Sequence, residues 1–371
     1  MCPRKTDDNQ AKLFKDRLGI AKVEAMAGKI AEVYPSFDAP GFVSAARRDG
    51  FEKLELKARI AALATRLKEF LPAEYRKAVD ILVDTAPHVG GFENWILTSY
   101  VEQFGLDHFE DSVYALRTLT PFSSCEFAIR PYMNRYADKM LPILHEWATD
   151  PNEHVRRLAA EGSRPRGVWT AHIEAFRKDP QPVIALLEQL KADPSLYVRK
   201  AVANNLNDIS KDHPDVVINT VIAWKRDGHG HTDWIVKRAC RSLVKTGHPA
   251  IFEILGFTSS PKVTVAGFSV SPKSFKIGKD CTITCTLKSN AAKSQKLVVD
   301  YRVYYIKANG RPTPKLFKWV EKTLKARESI ALSTRHSFMD RSTRTHRTGA
   351  HEIELIINGR PNGRVSVKLT K

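Results

Sequence analysis

Cysteine is scarce in this chain: five in 371 residues, at Cys2, Cys125, Cys240, Cys281 and Cys285. An odd number cannot all pair. Cys281 and Cys285, four apart in a strand-like run, share a face but lie roughly 13 Å apart along it. A disulfide framework is not expected, and reduced thiols of a cytoplasmic protein are. Long apolar runs are missing as well. No window reaches 18 uninterrupted apolar residues, and MCPRKTDDNQAK at the start has no apolar h-region. The chain therefore reads as a soluble protein with neither a membrane span nor an export signal. Walker, dinucleotide, G-x-S-x-G and C-x-x-C patterns are all absent, which removes the enzyme classes built on them. The run DGHGHTDW offers His229, His231 and Asp233 as metal ligands, but no further His or Cys stands at a zinc spacing. A loop touching phosphate is the expectation there, with no metal and no other cofactor.

The last third lacks acid. Residues 258–371 hold 23 Lys and Arg against 7 Asp and Glu, while residues 1–257 hold 36 against 34. Nearly all of the chain's formal charge of +18 thus sits in the C-terminal third, as befits a part that faces nucleic acid.

Helical periodicity fills the first two thirds. Residues 11–34, two segments within 42–71, Glu74–Val83, Ile96–Phe104, Ser112–Leu119 and a long Pro131–Thr149 segment read as helices. A repeat then becomes legible. DPNEHVRRLAAEG at 150–162 aligns with DPSLYVRKAVANN at 193–205, 43 residues on, and DWIVKRACRSLVKTG from Asp233 is a weaker third copy. Helix pairs recurring at this period predict a HEAT-type solenoid whose second helices line one concave surface. Beyond Phe257 the period becomes two. Strands are expected at 263–270, 281–288, 297–306, 316–323, 329–339, 351–358 and 364–370, with turns at Pro272, Gly278, Asn309-Gly310 and Asn358-Gly359. Seven short strands in about 110 residues predict an immunoglobulin- or fibronectin-like sandwich. The expected fold is multidomain α + β: an all-α HEAT-like-repeat solenoid over 1–257, then an all-β immunoglobulin-like sandwich over 258–371.

The stretch from Asp150 to Trp169 carries the chemistry. Asp150-Pro151 reads as a helix start. Val155, Leu158, Ala159 and Gly162 then form an apolar side, with Arg157 and Glu161 opposite and one turn apart. Arg164 and Arg166 alternate with Ser163, Pro165 and Gly167 before Trp169, a composition suited to presenting guanidinium groups and an aromatic plane to DNA. In the second repeat Lys200, Asn204 and Asp208 continue the charged stripe. Glu126 could be a capping partner of Ser123 and Glu161 a helical partner of Arg157. Gathered on one basic surface, however, Glu126, Glu161 and Asp208 would be repelled by phosphates, and a cationic substrate would give them a purpose. In the tail, Arg341, Arg344 and Arg347 lie within the Ser/Thr-rich stretch 333–348, which reads as a long basic loop that clamps DNA. A non-catalytic scaffold explains the repeats and the charge equally well but leaves the acids without a role.

The segments SSCEFAIRPY, HVRRLAAEGSRPRGVW and YVRKAVANNLNDISKDHP resemble the AlkC branch of the HEAT-like-repeat alkylpurine DNA glycosylases, the AlkC/AlkD superfamily. The likeness spans roughly 1–257, and a C-terminal immunoglobulin-like domain occurs in one group of AlkC proteins. The resemblance implies a monomer acting on double-stranded DNA and excising N3-methylated bases, chiefly 3-methyladenine, without flipping them. It further implies that Glu126, Glu161, Asp208 and Trp169 line the lesion site and that Arg157 meets the backbone.

Overall fold

The computed structural model describes residues 14–341 and 344–371. Cys2, residues 11–13 of the expected first helix, and Ser342 and Thr343 of the expected basic loop lie outside the described residues. Among the described residues sixteen α-helices precede eight strands, so an all-α part is followed by an all-β part. The change falls between the helix Pro249–Ile254 and the strand Val263–Ser271. Compactness divides the chain along another line. One unit holds residues up to His213 with Gly228–Ile235, and the other holds Pro214–Asp227 with Val236–Lys371. The helices Pro214–Arg226, Arg241–Thr246 and Pro249–Ile254 therefore share a unit with the strands. Gly247 and Gly359 show how closely they meet: both have positive φ, and a Cβ on Gly359 would stand 2.6 Å from the Gly247 Cα.

In the helical unit each helix buries one stripe and turns polar residues outward. The helix Leu56–Phe70 buries Leu56, Ile60, Leu63, Ala64 and Leu67, three or four residues apart. Arg59 is buried on the same helix, its guanidinium donating to the carbonyls of Lys15, Leu18, Glu52 and Leu54. The expected single helix over Pro131–Thr149 is two, Arg130–Arg135 and Ala137–Trp147. Tyr136 leaves the helical region between them (φ −129°, ψ 38°), with its hydroxyl donating to the Leu106 carbonyl. The cap at Asp150 is also revised. The helix runs Glu153–Gly162 and Asn152 caps it, while Asp150 accepts from the Asn152 N–H and pairs with Arg117. The expected phosphate loop at His229–His231 is instead largely the opening turn of a helix, Gly230–Ala239.

The 43-residue repeat persists in the hydrogen bonds. Arg156 donates to the carbonyls of Asp150 and Pro151, and Arg199 does the same to Asp193 and Pro194. The first Arg of each V-R-R/K thus clamps its own D-P turn. Arg156 also reaches forward to the Asp193 carboxylate at 2.7 Å, so one repeat fixes the start of the next. The helices Glu153–Gly162 and Leu196–Ile209 then pack side by side, with Asn205 donating to the Ala160 carbonyl and to Ser163 Oγ.

The strands are β1 (Val263–Ser271), β2 (Ser274–Lys276), β3 (Asp280–Ser289), β4 (Gln295–Ile306), β5 (Pro312–Leu324), β6 (Ser329–Ser337), β7 (Gly349–Ile357) and β8 (Arg360–Thr370). They form a three-stranded sheet, β1-β3-β6, and a five-stranded sheet, β2-β8-β7-β4-β5. The strands hold two apolar clusters, one around Cys285, Leu297 and Leu355 and another of Val270, Ile283, Tyr301, Phe338, Ile353 and Leu369 among others. Seven strands were legible. The eighth, β2, is only three residues long and pairs in parallel with β8, too short to leave a period. The expected basic loop over 333–348 is shorter, because Ser333–Ser337 belong to β6 and pair with β3. An edge strand exposes one face, so its polar residues are no bar to pairing. Cys125, Cys240, Cys281 and Cys285 are buried free thiols.

His336 is enclosed in this core, 5% exposed. Nδ1 lies 3.0 Å from the Tyr301 hydroxyl and Nε2 lies 2.8 Å from that of Tyr305. Burial, then the charges of Arg344 and His346, push its pKa down from 6.5 to about 4. The unfolded chain therefore binds a proton that the folded chain refuses between those two values. Stability from this site is complete above about pH 6.5 and is lost as the pH falls towards 4. His346 and His351, also lowered by burial, act in the same direction. Thermal melts from pH 7 to 4.5 should show the midpoint falling with acidification, and less steeply in His336→Gln by up to about one proton. Equal slopes would show that this histidine does not titrate on unfolding.

Candidate active site

Three carboxylates far apart in sequence are joined through two arginines. Arg157 Nη2 lies 2.5 Å from Glu126 Oε2 and 3.7 Å from Glu161 Oε2, and Nη1 donates to Ser124 Oγ. Arg164 Nη1 donates to the other oxygen of Glu161, and its Nη2 and Nε reach Asp208 Oδ2 at 2.6 and 2.7 Å. Lys211 closes the row on Asp208 Oδ1 at 2.7 Å. Alternating charges of this kind compensate each other's desolvation, which is why Glu161 and Asp208 are buried yet ionic. Helical spacing produces part of the row: Arg157 and Glu161 are one turn apart on Glu153–Gly162. The packing of that helix on Leu196–Ile209 brings Asp208 to Arg164. Glu126 sits in the turn before Arg130–Arg135, and its carboxylate accepts from Ser124 rather than from the expected Ser123.

The loop 163–172 is shaped by a residue that the sequence reading passed over. Arg130 is 2% exposed, and its guanidinium donates to the carbonyls of Gly162 (3.1 Å), Arg164 (2.5 Å) and Ala171 (2.6 and 3.2 Å). Burial, with the Arg164 charge next, lowers its pKa to about 10. One side chain thus gathers both ends of the loop and aims Arg164 at the carboxylates. Nothing in SSCEFAIRP marks this arginine apart from a surface one. For Arg164, burial opposes the charge, but Glu161 and Asp208 hold the pKa above its usual value.

The other expected contacts are distributed unevenly. Arg164 is turned inward rather than towards a DNA backbone. Arg166 forms a two-pronged pair with Asp212 at 2.6 and 2.8 Å, and these hydrogen bonds hold the Asp212 pKa down to about 2. Arg157 is covered on one side by Tyr197, whose ring centroid lies 5.0 Å away. Lys200 is exposed. In the other unit Arg341 and Arg347 are exposed, while Arg344 lies over the Tyr305 ring at 4.5 Å and donates to its hydroxyl. Trp169 is 67% exposed and is a non-glycine residue with φ +62°. Its carbonyl accepts from Lys57 Nζ at 2.7 Å, a contact across 112 residues that no sequence spacing announces. Trp169 lines a groove together with Arg130 and His172.

A family model described as "DNA alkylation repair enzyme" matches residues 111–243, and one described as "Uncharacterised protein YhaZ, C-terminal Ig-like domain" matches residues 264–371. Over 326 residues the chain is 40% identical to the uncharacterized protein YhaZ of Bacillus subtilis (strain 168), spanning 88% of this chain and 90% of that protein. It is similar in structure to the Pseudomonas fluorescens alkylpurine DNA glycosylase AlkC, solved bound to DNA containing an abasic site analog. The identity is 35% and the TM-score 0.93, over 96% of this chain and 99% of that one.

Arg130→Ala should strip the carbonyls of Gly162, Arg164 and Ala171 of their donors and leave a void. The expected loss of stability is at least about 2 kcal/mol, measured by urea unfolding. An unchanged midpoint would show that the loop does not depend on this guanidinium.

Proposed function

The chain belongs to the AlkC family of alkylpurine DNA glycosylases, and from that premise we propose that it hydrolyses the N-glycosidic bond of cationic N3-alkylated bases, chiefly 3-methyladenine, in double-stranded DNA. The row Glu126–Arg157–Glu161–Arg164–Asp208 is the observation that carries this reading. A 3-methylated adenine in DNA bears a positive charge, so its bond to C1′ is already weakened and the leaving base needs no strong acid. As the bond breaks, its electron pair goes to the base and positive charge grows on the sugar. Carboxylates held nearby stabilise that charge more in the transition state than in the ground state. Water then adds to C1′ and loses a proton, with a carboxylate oriented to accept it.

Arg157 is the link in the row best suited to exchange partners. Its reach to Glu126 is the outer end of the network, and a phosphate oxygen offers the same two-pronged geometry as a carboxylate. When a DNA backbone takes Arg157, Glu126 and Glu161 lose a countercharge and become available to the cation. The row is filled by its own arginines rather than hollowed for a purine, which supports excision without base flipping. Lys211, the lysine at the row, is engaged in an ion pair with Asp208. An ammonium so engaged is a poor Schiff-base nucleophile, which supports simple hydrolysis without strand cleavage. Trp169 supplies an exposed aromatic face for a cationic base.

The unit that holds the strands contributes positive charge. Burial and then the charges of Arg344, Lys245, Arg341 and Lys307 lower the Lys315 pKa, so cations from three chain segments converge on one face. That face suits a phosphate backbone.

Base release from methylated DNA, followed by chromatography of the free bases, tests the activity. Glu161→Gln should keep its circular dichroism and DNA affinity but release base at least about tenfold more slowly in single turnovers, and equal rates would remove Glu161 from the mechanism. For the basic face, Arg341→Gln with Arg347→Gln should flatten the log Kd against log salt plot by about 0.9 for each phosphate no longer neutralised. An unchanged slope would assign those arginines to solvent.

A further inference from the structure

A second feature of the helical unit stands beside the row of carboxylates and has the opposite electrostatic character. Two grooves of about 600 and 520 Å³ share Lys57, Glu102 and Pro131 in their walls. Trp169 lines the first and Trp95 the second. Trp95 stacks on Phe127 at 5.0 Å with planes 17° apart, and Phe127 is the residue after Glu126. Lys57 lies 5.1 Å from the Phe127 centroid and holds the Trp169 carbonyl. Through Trp95 and Lys57, which both touch the Phe127 ring, the groove wall is tied to the residue after Glu126, and the exposed Trp169 lines the groove as well.

Glu102 lies where the two grooves meet. It is half-buried and makes no hydrogen bond or ion pair to another described residue. Burial raises its pKa, against the pull of Lys57. With the Lys57 ammonium beside this single carboxyl group, the groove holds a cation less strongly than the row of three carboxylates does, while its indoles remain open to stacking. Indole side chains and a carboxyl group without a hydrogen-bond partner among the described residues suit a flat heterocycle with N–H groups.

Hydrolysis changes the ligand in the same sense. The methylated nucleotide is cationic; water supplies the oxygen to C1′, the bonding pair stays on the base, one proton is released, and the free base leaves neutral. A neutral purine has lost its attraction to Glu126, Glu161 and Asp208 but can still stack and hydrogen-bond. We propose that the groove between Trp95 and Trp169, with Glu102 at its waist, is a product site that receives the excised methylpurine. This inference rests on the glycosylase reading above.

The test uses the full-length protein without DNA and free 3-methyladenine as the probe. Titration followed by calorimetry or by indole fluorescence should show saturable binding, and the same base added to reactions on methylated DNA should slow multiple-turnover release. Glu102→Gln, which keeps the shape but exchanges one oxygen for a donor, should weaken binding of the free base at least tenfold. Lys57→Met, which releases the Trp169 carbonyl, should weaken it as well. Wild-type protein that releases base from DNA yet binds no free 3-methyladenine would overturn the product site and leave the glycosylase reading standing. Binding that neither variant weakens would overturn the location. Wild-type protein that binds the free base but releases none from DNA would overturn the catalytic reading while sustaining a purine site in the groove.

Discussion

The helical unit depends on buried guanidinium groups that find every partner they need. A guanidinium presents five N–H donors in a rigid plane and cannot shed its charge, so it is tolerated inside a protein only where acceptors surround it. Arg130 meets this condition with backbone carbonyls alone and Arg164 with two carboxylates, and the two are coupled because Arg130 holds the carbonyl of Arg164. Removing either would leave carbonyls or carboxylates buried without donors, so the loop between them has one stable arrangement. Arg59 works in the same way at another junction, while the partly exposed Arg156 and Arg199 tie D-P turns through Nη1, with the Arg199 Nε left without an acceptor. Each ties a carbonyl pair or a turn that apolar packing alone would leave free to shift.

That constraint explains why a surface can be both acidic and stable. Three carboxylates close together repel one another, and partial burial strengthens the repulsion. Interleaved arginines remove the problem in the resting protein, and the two inner members, Arg164 and Asp208, are the most enclosed. The outer member, Arg157, bears instead on Tyr197 and on a half-buried Glu126. The two ends of the row, Glu126 and Lys211, are thus the more exposed, and its middle is enclosed. The neighbouring groove carries aromatic planes and a carboxyl group displaced towards its neutral form.

Much of the architecture was legible because it is periodic. Seven of the eight described strands announced themselves by alternation, and β2, three residues long, had no room to do so. Many helices were legible by their apolar stripes, but the break at Tyr136 was not, and the helices Gln181–Gln189, Pro214–Arg226 and Pro249–Ile254 were not singled out. The aligned D-P and V-R-R/K segments foretold a repeat, and the structure gives them a mechanism in the paired clamps of Arg156 and Arg199. Arg164 was misread as outward-facing, since a loop rich in Ser, Pro and Gly ordinarily lies in solvent, and Arg166, partly exposed, is held in an ion pair that the reading did not foresee. Their partners, Asp208 and Asp212, stand 44 and 46 residues further on.

What the sequence determined by itself is whatever rests on local order: the change from helical to alternating period near residue 257, the concentration of positive charge after it, the repeat, and the pairing of Arg157 with Glu161 one turn apart. Tertiary structure alone decided which charges meet. Arg130 and the loop 163–172, Arg164 and Asp208, Lys57 and the carbonyl of Trp169 are separated by 34 to 112 residues. No spacing rule connects them. They come together because helices that bury their apolar stripes carry their polar edges into contact, and a buried charge then remains only where that packing supplies its partner.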